Sequence, residues 1–371
     1  MTQPPSQALD QCVVFSRVVA WQRRCGRHDL PWQHTRDPYR IWLSEIMLQQ
    51  TQVRTVLGYY ERFLQRFPDV YALAAAELDE VLALWSGLGY YSRARHLHAC
   101  ARQVVAQYGG QFPADAQALA ALPGIGRSTA AALAAFCFGQ RCSILDGNVR
   151  RVLTRLLAFD DTSAAGQRTL WAIAQHLIPP QASADEMAAY TQGLMDLGAT
   201  VCTRRRPRCA DCPLADGCAA RASGAPEAWP RRRAAPVRRH ESWWLPLFVA
   251  ADGRWWLQRR PARGIWAGLW APPLCANPPP LAAWQAAGVE VVCEPPQQHA
   301  LTHRELTLHP WWCRLPPHWG GGSGGAPPLP AHPCAQGAWW SPSEALSLGL
   351  PAPVRRWLQK WGSDSRRSSS R

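Results

Sequence analysis

The chain has 371 residues, which is enough for two domains that each bury a core. Its net charge of +14 favours a polyanionic partner, with nucleic acid ahead of a membrane surface. No apolar run approaches the length of a transmembrane helix and the N-terminal residues do not resemble a signal peptide, so we expect no membrane span and no export. The thirteen cysteines are then expected to be thiols or metal ligands.

Residues 8–220 are predicted to form a helical domain, because apolar residues recur three and four positions apart between short Gly and Pro turns. Its first unusual stretch is SEIMLQQTQV, residues 44–53. Glu45 precedes three large apolar residues, and Gln49, Gln50 and Thr51 follow them. A helix that only filled a core would not carry a carboxylate and several amides here, so the stretch is a candidate site.

The next feature is LPGIGRSTAAALAAF, residues 122–136, where Gly124 and Gly126 lie between two predicted helices. The glycines permit a tight hairpin whose backbone N–H groups point outward at the start of the second helix. Such an end binds a phosphate. The alternative is an ordinary turn between two helices.

The stretch SILDGNVRRVLTRLL, residues 143–157, predicts a helix with Asp146 at its N-terminal edge. Asp146 would cap that helix, and capping alone is a sufficient reason for an aspartate here. A capping carboxylate can also serve as a catalytic anion, because the helix end keeps it ionised.

Four cysteines, Cys202, Cys209, Cys212 and Cys218, follow in a C-x6-C-x2-C-x5-C pattern. Structural zinc sites usually show two close Cys pairs, and this pattern has one, so the wide outer spacings favour a [4Fe–4S] cluster. Zinc, or buried cysteines without a ligand, are the alternatives. Four arginines between the first two cysteines are candidates for phosphate contacts.

Residues 203–240 contain ten arginines and three acidic residues, and residues 221–241 are predicted to form a basic linker. After it, short runs of β-forming residues predict a second domain over residues 242–361, which holds most of the twenty tryptophans. Residues 362–371 are predicted to be a disordered tail.

Several stretches together carry a family resemblance: LPWQHTRDPYRIWLSEIMLQQTQV, WSGLGYYSRARHLH, LPGIGRSTA, LDGNVRRVL, MDLGATVC and the cysteine loop. They resemble, in the same order, the MutY-type adenine DNA glycosylases of the helix-hairpin-helix, endonuclease III-like superfamily. The resemblance covers roughly residues 10–220 and continues more weakly to about 360. It implies an all-α helix-hairpin-helix core with a [4Fe–4S] loop and an α+β, MutT-like (Nudix) C-terminal domain.

The resemblance also implies an activity, the removal of adenine mispaired with 8-oxoguanine or guanine in duplex DNA. Breaking a glycosidic bond needs one protonated and one ionised carboxyl group. Glu45 matches the family's general acid, which protonates adenine N7. Asp146 matches the carboxylate that stabilises the sugar cation, and Asn148 matches a residue that orients the site.

Further positions match family residues that hold the extruded base or the gap it leaves. Gln50 and Tyr90 match residues that wedge into the duplex, although Tyr90 is also explained as a packed aromatic residue. Thr51 matches a contact to 8-oxoguanine, and Gln49 lies beside it. Trp32 and Gln192 match residues of the adenine pocket.

The only lysine of the chain is Lys360, outside the predicted helical domain. Relatives that cleave the DNA strand use an amine to form a Schiff base, and their lysine falls at the position of Ser128. We therefore expect a monofunctional glycosylase, the alternative being a lyase that uses the N-terminal amine. In some relatives the position of Ser128 is a tyrosine near the flipped base.

In the second domain, Leu301, Thr302 and His303 stand where the family has a Phe-Ser-His loop that reads 8-oxoguanine. The segment LCANPPPLAAWQAAG lacks the acidic residues with which a Nudix hydrolase holds Mg²⁺, so we expect no pyrophosphatase activity. We expect a nucleoid-associated monomer of the bacterial cytoplasm, with the linker as a docking point for other repair or replication proteins.

Two other functions are compatible with parts of the pattern. One is a non-catalytic DNA-binding or redox-sensing iron–sulfur protein, against which the pair Glu45 and Asp146 argues. The other is a pyrimidine-lesion glycosylase and lyase of the same superfamily, against which the lysine content argues.

Overall fold

The structure is a computed structural model that describes residues 10–231, 237–317 and 337–364. The chain forms two compact units. The first comprises Met1–Val56, Phe67–Ala74 and Ala99–Ala234, and the second comprises Leu57–Arg66, Ala75–His98 and Ala235–Arg371. The predicted helical domain contributes residues to both units, and its boundaries stay a prediction.

The stretch predicted to be helical, residues 8–220, is helical where the structure describes it, from residue 10 onward. The helices are α1 (Gln11–Cys25), α2 (Pro38–Leu48), α3 (Val53–Arg66), α4 (Val70–Ala75), α5 (Leu78–Leu84), α6 (Ser92–Tyr108), α7 (Ala116–Ala120), α8 (Arg127–Phe138), α9 (Gly147–Leu157), α10 (Ala164–His176), α11 (Ala184–Asp196) and α12 (Ala219–Ala222). Side-chain oxygens of Asp10, Asp37, Asp115, Ser163 and Ser183 accept hydrogen bonds from first-turn N–H groups and fix where α1, α2, α7, α10 and α11 begin.

The core of the first unit is an apolar cluster built from α1, α8, α9, α10 and α11. Val18, Leu153, Leu170 and Met187 are completely buried in it. Each of these residues belongs to a three-and-four repeat in the sequence, so burying the apolar stripe of each helix brings the helices together.

The predicted hairpin lies between α7 and α8. Gly124 has φ +75°, a left-handed conformation that favours glycine, and Gly126 is the N-terminal cap residue of α8. Ile125 between them is buried. The turn is therefore anchored by an apolar side chain, while the N-terminus of α8 follows directly.

The second unit contains a mixed sheet. Its strands are β1 (Arg239–Val249), β2 (Trp255–Arg259), β3 (Trp270–Ala271), β4 (Glu290–Cys293), β5 (Gln297–Ala300), β6 (Arg304–Arg314) and β7 (Gly337–Trp340). The order is β3-β2-β1-β6-β4, with β5 also paired to β6 and β7 to β2. The long strands β1 and β6 run parallel, with Arg239 opposite Arg304, and the other pairs are antiparallel.

Three helices complete this unit: α13 (Leu281–Ala286), α14 (Pro342–Ser347) and α15 (Ala352–Asp364). Helix α13 lies in the segment LCANPPPLAAWQAAG, which contains no acidic residue. Helix α15 extends three residues into the predicted tail, and the remaining tail residues, 365–371, lie outside the described residues. In the predicted linker the chain forms α12 and a short turn of 3-10 helix, Pro226–Ala228, before β1 begins. No helix among the described residues is long and apolar enough to cross a membrane.

Candidate active site

Nine of the predicted site residues line one cavity of about 900 Å³ in the first unit: Trp32, Glu45, Gln49, Gln50, Thr51, Ser128, Asp146, Asn148 and Gln192. A second cavity of about 440 Å³ shares four lining residues with it, namely Arg27, Trp32, Glu45 and Gln192. The two candidate carboxyl groups, which are 101 positions apart in the sequence, thus face the same space.

Helix α2 brings Glu45 to this space. Trp42 and Met47 of the same helix are completely buried in the core. Helix α2 ends at Leu48, and Gln50 then adopts φ +57° and is exposed. A left-handed conformation is uncommon for a residue other than glycine, and such conformations concentrate at functional sites.

Asp146 caps α9, as the sequence predicted. Its Oδ1 atom accepts hydrogen bonds from the N–H groups of Asn148, at 3.1 Å, and Val149, at 2.8 Å. Burial raises the pKa of Asp146 above its usual value, while the two N–H groups and the guanidinium of Arg151 act in the opposite direction. The cap and the positive charge favour the ionised form.

Glu45 is in a different environment. Its side chain is partly exposed to the two cavities, but protein surrounds it closely. Burial raises its pKa to about 7, and the nearby charge of Asp146 contributes in the same direction. Near neutral pH a large fraction of Glu45 therefore holds a proton.

Arg151, which the sequence analysis did not select, links this site to the cysteine loop. Its Nη2 atom donates to Asn148 Oδ1 at 2.8 Å and to the Gly198 carbonyl at 2.6 Å, and its Nε atom donates to the Cys202 carbonyl at 2.7 Å. A Cβ atom at Gly198 would lie 2.6 Å from Asn148 Cβ, so only glycine permits this approach. Because Asn148 accepts through Oδ1, its Nδ2 group is the donor that remains for a substrate.

Ser128 supports the same region. The N–H group of Leu145 donates to Ser128 Oγ at 3.1 Å, so the first turn of α8 holds the residue that precedes Asp146.

A second buried network holds Gln192. Asp196 is completely buried, and its Oδ1 atom accepts from Arg27 Nε at 2.7 Å and from Gln192 Nε2 at 2.8 Å. Its Oδ2 atom accepts from the Arg27 backbone N–H at 2.9 Å. A carboxylate accepts only, so the amide of Gln192 must turn its Nε2 group toward Asp196. Gln192 Oε1 is then the acceptor available to a ligand in the cavity.

The four predicted cysteine ligands line one cavity of their own, together with apolar residues such as Val152 and Leu214. Among the residues that the structure describes, no three His, Cys, Asp or Glu side chains are arranged to hold a single metal ion. The four thiols around a common space supply the four cysteine ligands that a [4Fe–4S] group takes.

Arg155 organises the cysteine loop and was also missed by the sequence analysis. It is only 2% exposed. Its guanidinium donates to the carbonyls of Thr203 at 2.6 Å, Arg204 at 3.0 Å and Trp229 at 3.0 Å, and to Cys202 Sγ at 3.4 Å. This places a fixed positive charge beside a cluster ligand, which stabilises a thiolate. The arginines at 204, 205, 206 and 208 are exposed on the same loop.

Five predicted residues lie elsewhere. Gly124 and Gly126 form the hairpin before α8. Tyr90 belongs to the second unit, where it has φ +48° and is 47% exposed. Thr302 and His303 are exposed in the turn between β5 and β6, which the hydrogen bond from Leu301 N–H to the Arg304 carbonyl closes.

The residues that the sequence analysis missed share one property. Arg27, Arg151, Arg155 and Asp196 are charged residues with many buried partners. One signal was present, because Gln192 and Asp196 are four residues apart on one helix and so share a face. For the arginines the sequence contained no signal, since the chain has 40 basic residues and most of them are not central to a network.

Three regions of the chain match known protein families. Residues 43–176 match the HhH-GPD superfamily of base excision DNA repair proteins, residues 202–218 match the iron–sulfur binding domain of endonuclease III, and residues 246–360 match the NUDIX domain. The predicted fold class and the predicted iron–sulfur loop are thereby confirmed.

The chain is also similar to whole proteins of known name. The chain is 33% identical to the adenine DNA glycosylase of Buchnera aphidicola subsp. Baizongia pistaciae, over 81% of this chain and 86% of that protein. It is 44% identical to the adenine DNA glycosylase of Mus musculus over 58% of this chain, but spans only 43% of that longer protein. A solved thermostable thymine-DNA glycosylase is 29% identical with a TM-score of 0.51, over 57% of this chain and 97% of that one.

The raised pKa of Glu45 predicts a pH-dependent stability. The folded state holds the proton more tightly than the unfolded state, whose pKa is near 4.5, so this contribution is fully present below about pH 4.5 and is lost as the pH rises through about 7. As the pH rises from 4.5 to 8, the free energy of unfolding of Glu45→Gln should increase by roughly 3 kcal/mol relative to that of the wild type. Urea unfolding across this range measures it. The exposed Glu61→Gln serves as control, and equal pH dependence of wild type and Glu45→Gln would contradict the prediction.

Replacing Arg155 by lysine should impair the cysteine loop. Lysine keeps the charge but loses the planar fork, which leaves at least two partly buried carbonyls without their donors and costs about 2 kcal/mol for the two hydrogen bonds. Iron and acid-labile sulfide per chain should fall below half of the wild-type value. The exposed Arg168→Lys is the control, and unchanged iron content in Arg155→Lys would refute the assignment.

Proposed function

Because the chain belongs to the adenine DNA glycosylase family, we propose that it hydrolyses the bond between adenine N9 and deoxyribose C1′ in duplex DNA, where adenine lies opposite 8-oxoguanine or guanine. The observation that carries this proposal is that Glu45 and Asp146 line the same cavity. Of these two carboxyl groups, only that of Asp146 caps the N-terminus of a helix. The same substrate would place the protein on the nucleoid of a bacterial cell.

The reaction begins with adenine extruded from the duplex into the cavity. The protonated carboxyl group of Glu45 donates its proton to adenine N7, and the C1′–N9 bond breaks with its electron pair leaving on the base. The ionised Asp146 stabilises the positive charge that develops on the sugar. Water then adds to C1′ and transfers a proton to Glu45, which restores the starting carboxyl group.

Base selection follows from the fixed amide of Gln192. With its Nε2 group held by Asp196, its Oε1 atom accepts a hydrogen bond from the exocyclic amine of adenine. A base with a carbonyl in that position would place one hydrogen-bond acceptor against another, Gln192 Oε1, and would form no hydrogen bond there. The ring of Trp32 provides an apolar surface for the base.

Contacts with the gap in the duplex and with the opposing base are assigned to Gln49, Gln50 and Thr51 of the first unit and, separately, to Tyr90, Thr302 and His303 of the second unit. Gln50 and Tyr90 support this role because both are exposed and both have left-handed backbone conformations. The exposed arginines of the cysteine loop and the hairpin with Gly124 and Gly126 would contact phosphates. A [4Fe–4S] cluster bound by the four cysteines would hold the cysteine loop in one conformation.

Adenine release from duplexes with adenine opposite 8-oxoguanine, guanine or thymine tests the proposal. The first two should be substrates and the third should not. Glu45→Gln and Asp146→Asn should each lower the single-turnover rate by at least about 100-fold, as expected for a catalytic acid and for an ionic stabiliser. Glu61→Gln controls for the loss of a surface carboxylate.

Wild-type turnover no greater than that of Glu45→Gln would instead favour a non-catalytic iron–sulfur protein. A borohydride-trapped protein–DNA adduct would favour a lyase. Lys360, the only lysine, lies on α15 with its Nζ atom 3.3 Å from Glu294 Oε2, so such an adduct should not form.

The rate should also depend on pH in a defined direction. Since Glu45 must be protonated and its pKa is about 7, the single-turnover rate should fall about tenfold for each pH unit above about 7.5. Rates measured at saturating enzyme from pH 6 to 9 provide the check. A rate that rises over this interval would exclude Glu45 as the acid.

A further inference from the structure

The turn that carries Tyr90, residues 86–91, joins α5 to α6 and has an unfavourable backbone. Gly87 has φ +108°, Gly89 has φ +71° and Tyr90 has φ +48°. A Cβ atom at Gly87 would lie 2.1 Å from the hydroxyl of Tyr59. A tyrosine in a left-handed conformation persists only where its surroundings enforce it.

Part of that enforcement is local. Arg93 Nη2 donates to the carbonyls of Leu88 at 3.1 Å and Gly89 at 3.2 Å, and Trp85 Nε1 donates to the Gly89 carbonyl at 3.1 Å. These bonds hold the carbonyls that precede Tyr90. They do not reach Ser86 or Tyr91, the two ends of the turn.

Tyr59 of α3 donates its hydroxyl to the Ser86 carbonyl at 2.8 Å, and the C-terminal segment of the same compact unit contacts the side chains at both ends of the turn. The hydroxyl of Tyr91 donates to the Leu350 carbonyl at 2.6 Å, and Ser86 Oγ lies 3.2 Å from the same oxygen. Arg355 Nε donates to Ser86 Oγ at 2.8 Å. The other nitrogens of Arg355 donate to the carbonyls of Leu346 at 2.6 Å and Leu348 at 2.8 Å, where α14 ends.

These contacts form one connected set, which we call the Arg355 latch: Ser86, Tyr91, Leu350 and Arg355. Leu350 is completely buried. Burial also raises the pKa of Tyr91 and lowers that of Arg355. The hydroxyl of Tyr91 and the guanidinium of Arg355 are partly buried, so either group would be incompletely solvated if it lost its partner, and the latch favours one arrangement of its members.

We propose that the Arg355 latch positions Tyr90 for DNA, so that the C-terminal segment Leu346–Arg355 sets the conformation of a DNA-contacting turn that lies some 260 residues earlier in the chain. This inference rests on the proposed role of Tyr90 as a residue that enters the duplex. Tyr91 and Arg355 are positioning residues, because they act through Tyr90 and contact no DNA themselves.

The latch makes a quantitative expectation possible. With the turn held, the protein does not lose conformational entropy there when it binds DNA. Loss of one buried hydrogen bond from the latch should weaken binding about three- to tenfold. The rate of bond cleavage at saturating enzyme should change less than the affinity, because Glu45 and Asp146 are not in the turn.

The test is a double-mutant cycle on binding. Affinity is measured for a duplex with 8-oxoguanine opposite a non-cleavable adenosine analogue, for wild type, Tyr91→Phe, Tyr90→Ala and the double variant. Tyr91→Phe removes only the hydroxyl. The control, Tyr71→Phe, removes a similar bond from a tyrosine hydroxyl to the Gly109 carbonyl.

Tyr91→Phe should weaken binding in the wild-type background and have almost no further effect when Tyr90 is already alanine. Tyr71→Phe should bind as wild type. Additive losses would mean that Tyr91 acts independently of Tyr90 and would overturn the proposal, as would wild-type affinity in either Tyr91→Phe or Tyr90→Ala.

Arg355→Lys provides a second route if Tyr91→Phe is unstable, and thermal unfolding identifies that case. The same cycle with Arg355→Lys has the same expected outcomes. Because binding is read with a non-cleavable duplex, the result does not depend on turnover. Absence of adenine release by the wild type would be a failure of the proposed function and not of the latch.

Discussion

The cap of α9 is the constraint on which the candidate site depends. The carboxylate of Asp146, which caps the helix, also lines the cavity. It accepts hydrogen bonds from the backbone N–H groups of Asn148 and Val149. This arrangement separates the two acids chemically. Asp146 has compensation for its charge, whereas Glu45 has only burial and the repulsion of Asp146. The charged form is therefore stabilised more strongly in Asp146 than in Glu45, although both groups line one small space.

The surroundings of these two groups are held by arginines used as structural connectors. Arg151 joins Asn148 to the cysteine loop, Arg155 closes that loop, and Arg27 fixes Asp196 and thereby Gln192. Arg151 and Arg155 each use the planar fork of the guanidinium to satisfy several partly buried carbonyl oxygens at once, whereas the Arg27 guanidinium binds Oδ1 of the buried Asp196. Integrity of the cysteine loop and geometry of the catalytic pocket are therefore not independent, since they share Arg151.

The second unit shows the same principle in a different place. Strand pairs and the tryptophan-rich core define its sheet, but the segment after α14 is defined largely by Arg355 and its carbonyl partners. The exposed Tyr90 and the exposed turn with Thr302 and His303 both lie in this unit. A glycosylase core and a Nudix-type sheet thus contribute different residues to what we propose is one DNA-binding function.

Much of this protein could be predicted from its sequence. Apolar periodicity is a local property, so it predicted the helices of residues 10–231, and the helix-start pattern predicted Asp146 as a cap. The spacing of Cys202, Cys209, Cys212 and Cys218 predicted a cluster loop, because ligands close in sequence need little tertiary information. The family motifs also identified nine residues that proved to line one cavity.

Tertiary structure alone decided what these residues experience. The pKa of Glu45 depends on its burial and on Asp146, which is distant in the sequence. The orientation of the Gln192 amide depends on its hydrogen bond to the buried carboxylate of Asp196. The partners of Arg151 and Arg155 are mainly backbone carbonyls, which every residue possesses, so no side-chain pattern can reveal them. Sequence determined which chemical groups are present and where helices begin, whereas desolvation and hydrogen-bond direction exist only once distant segments exclude water from the same space.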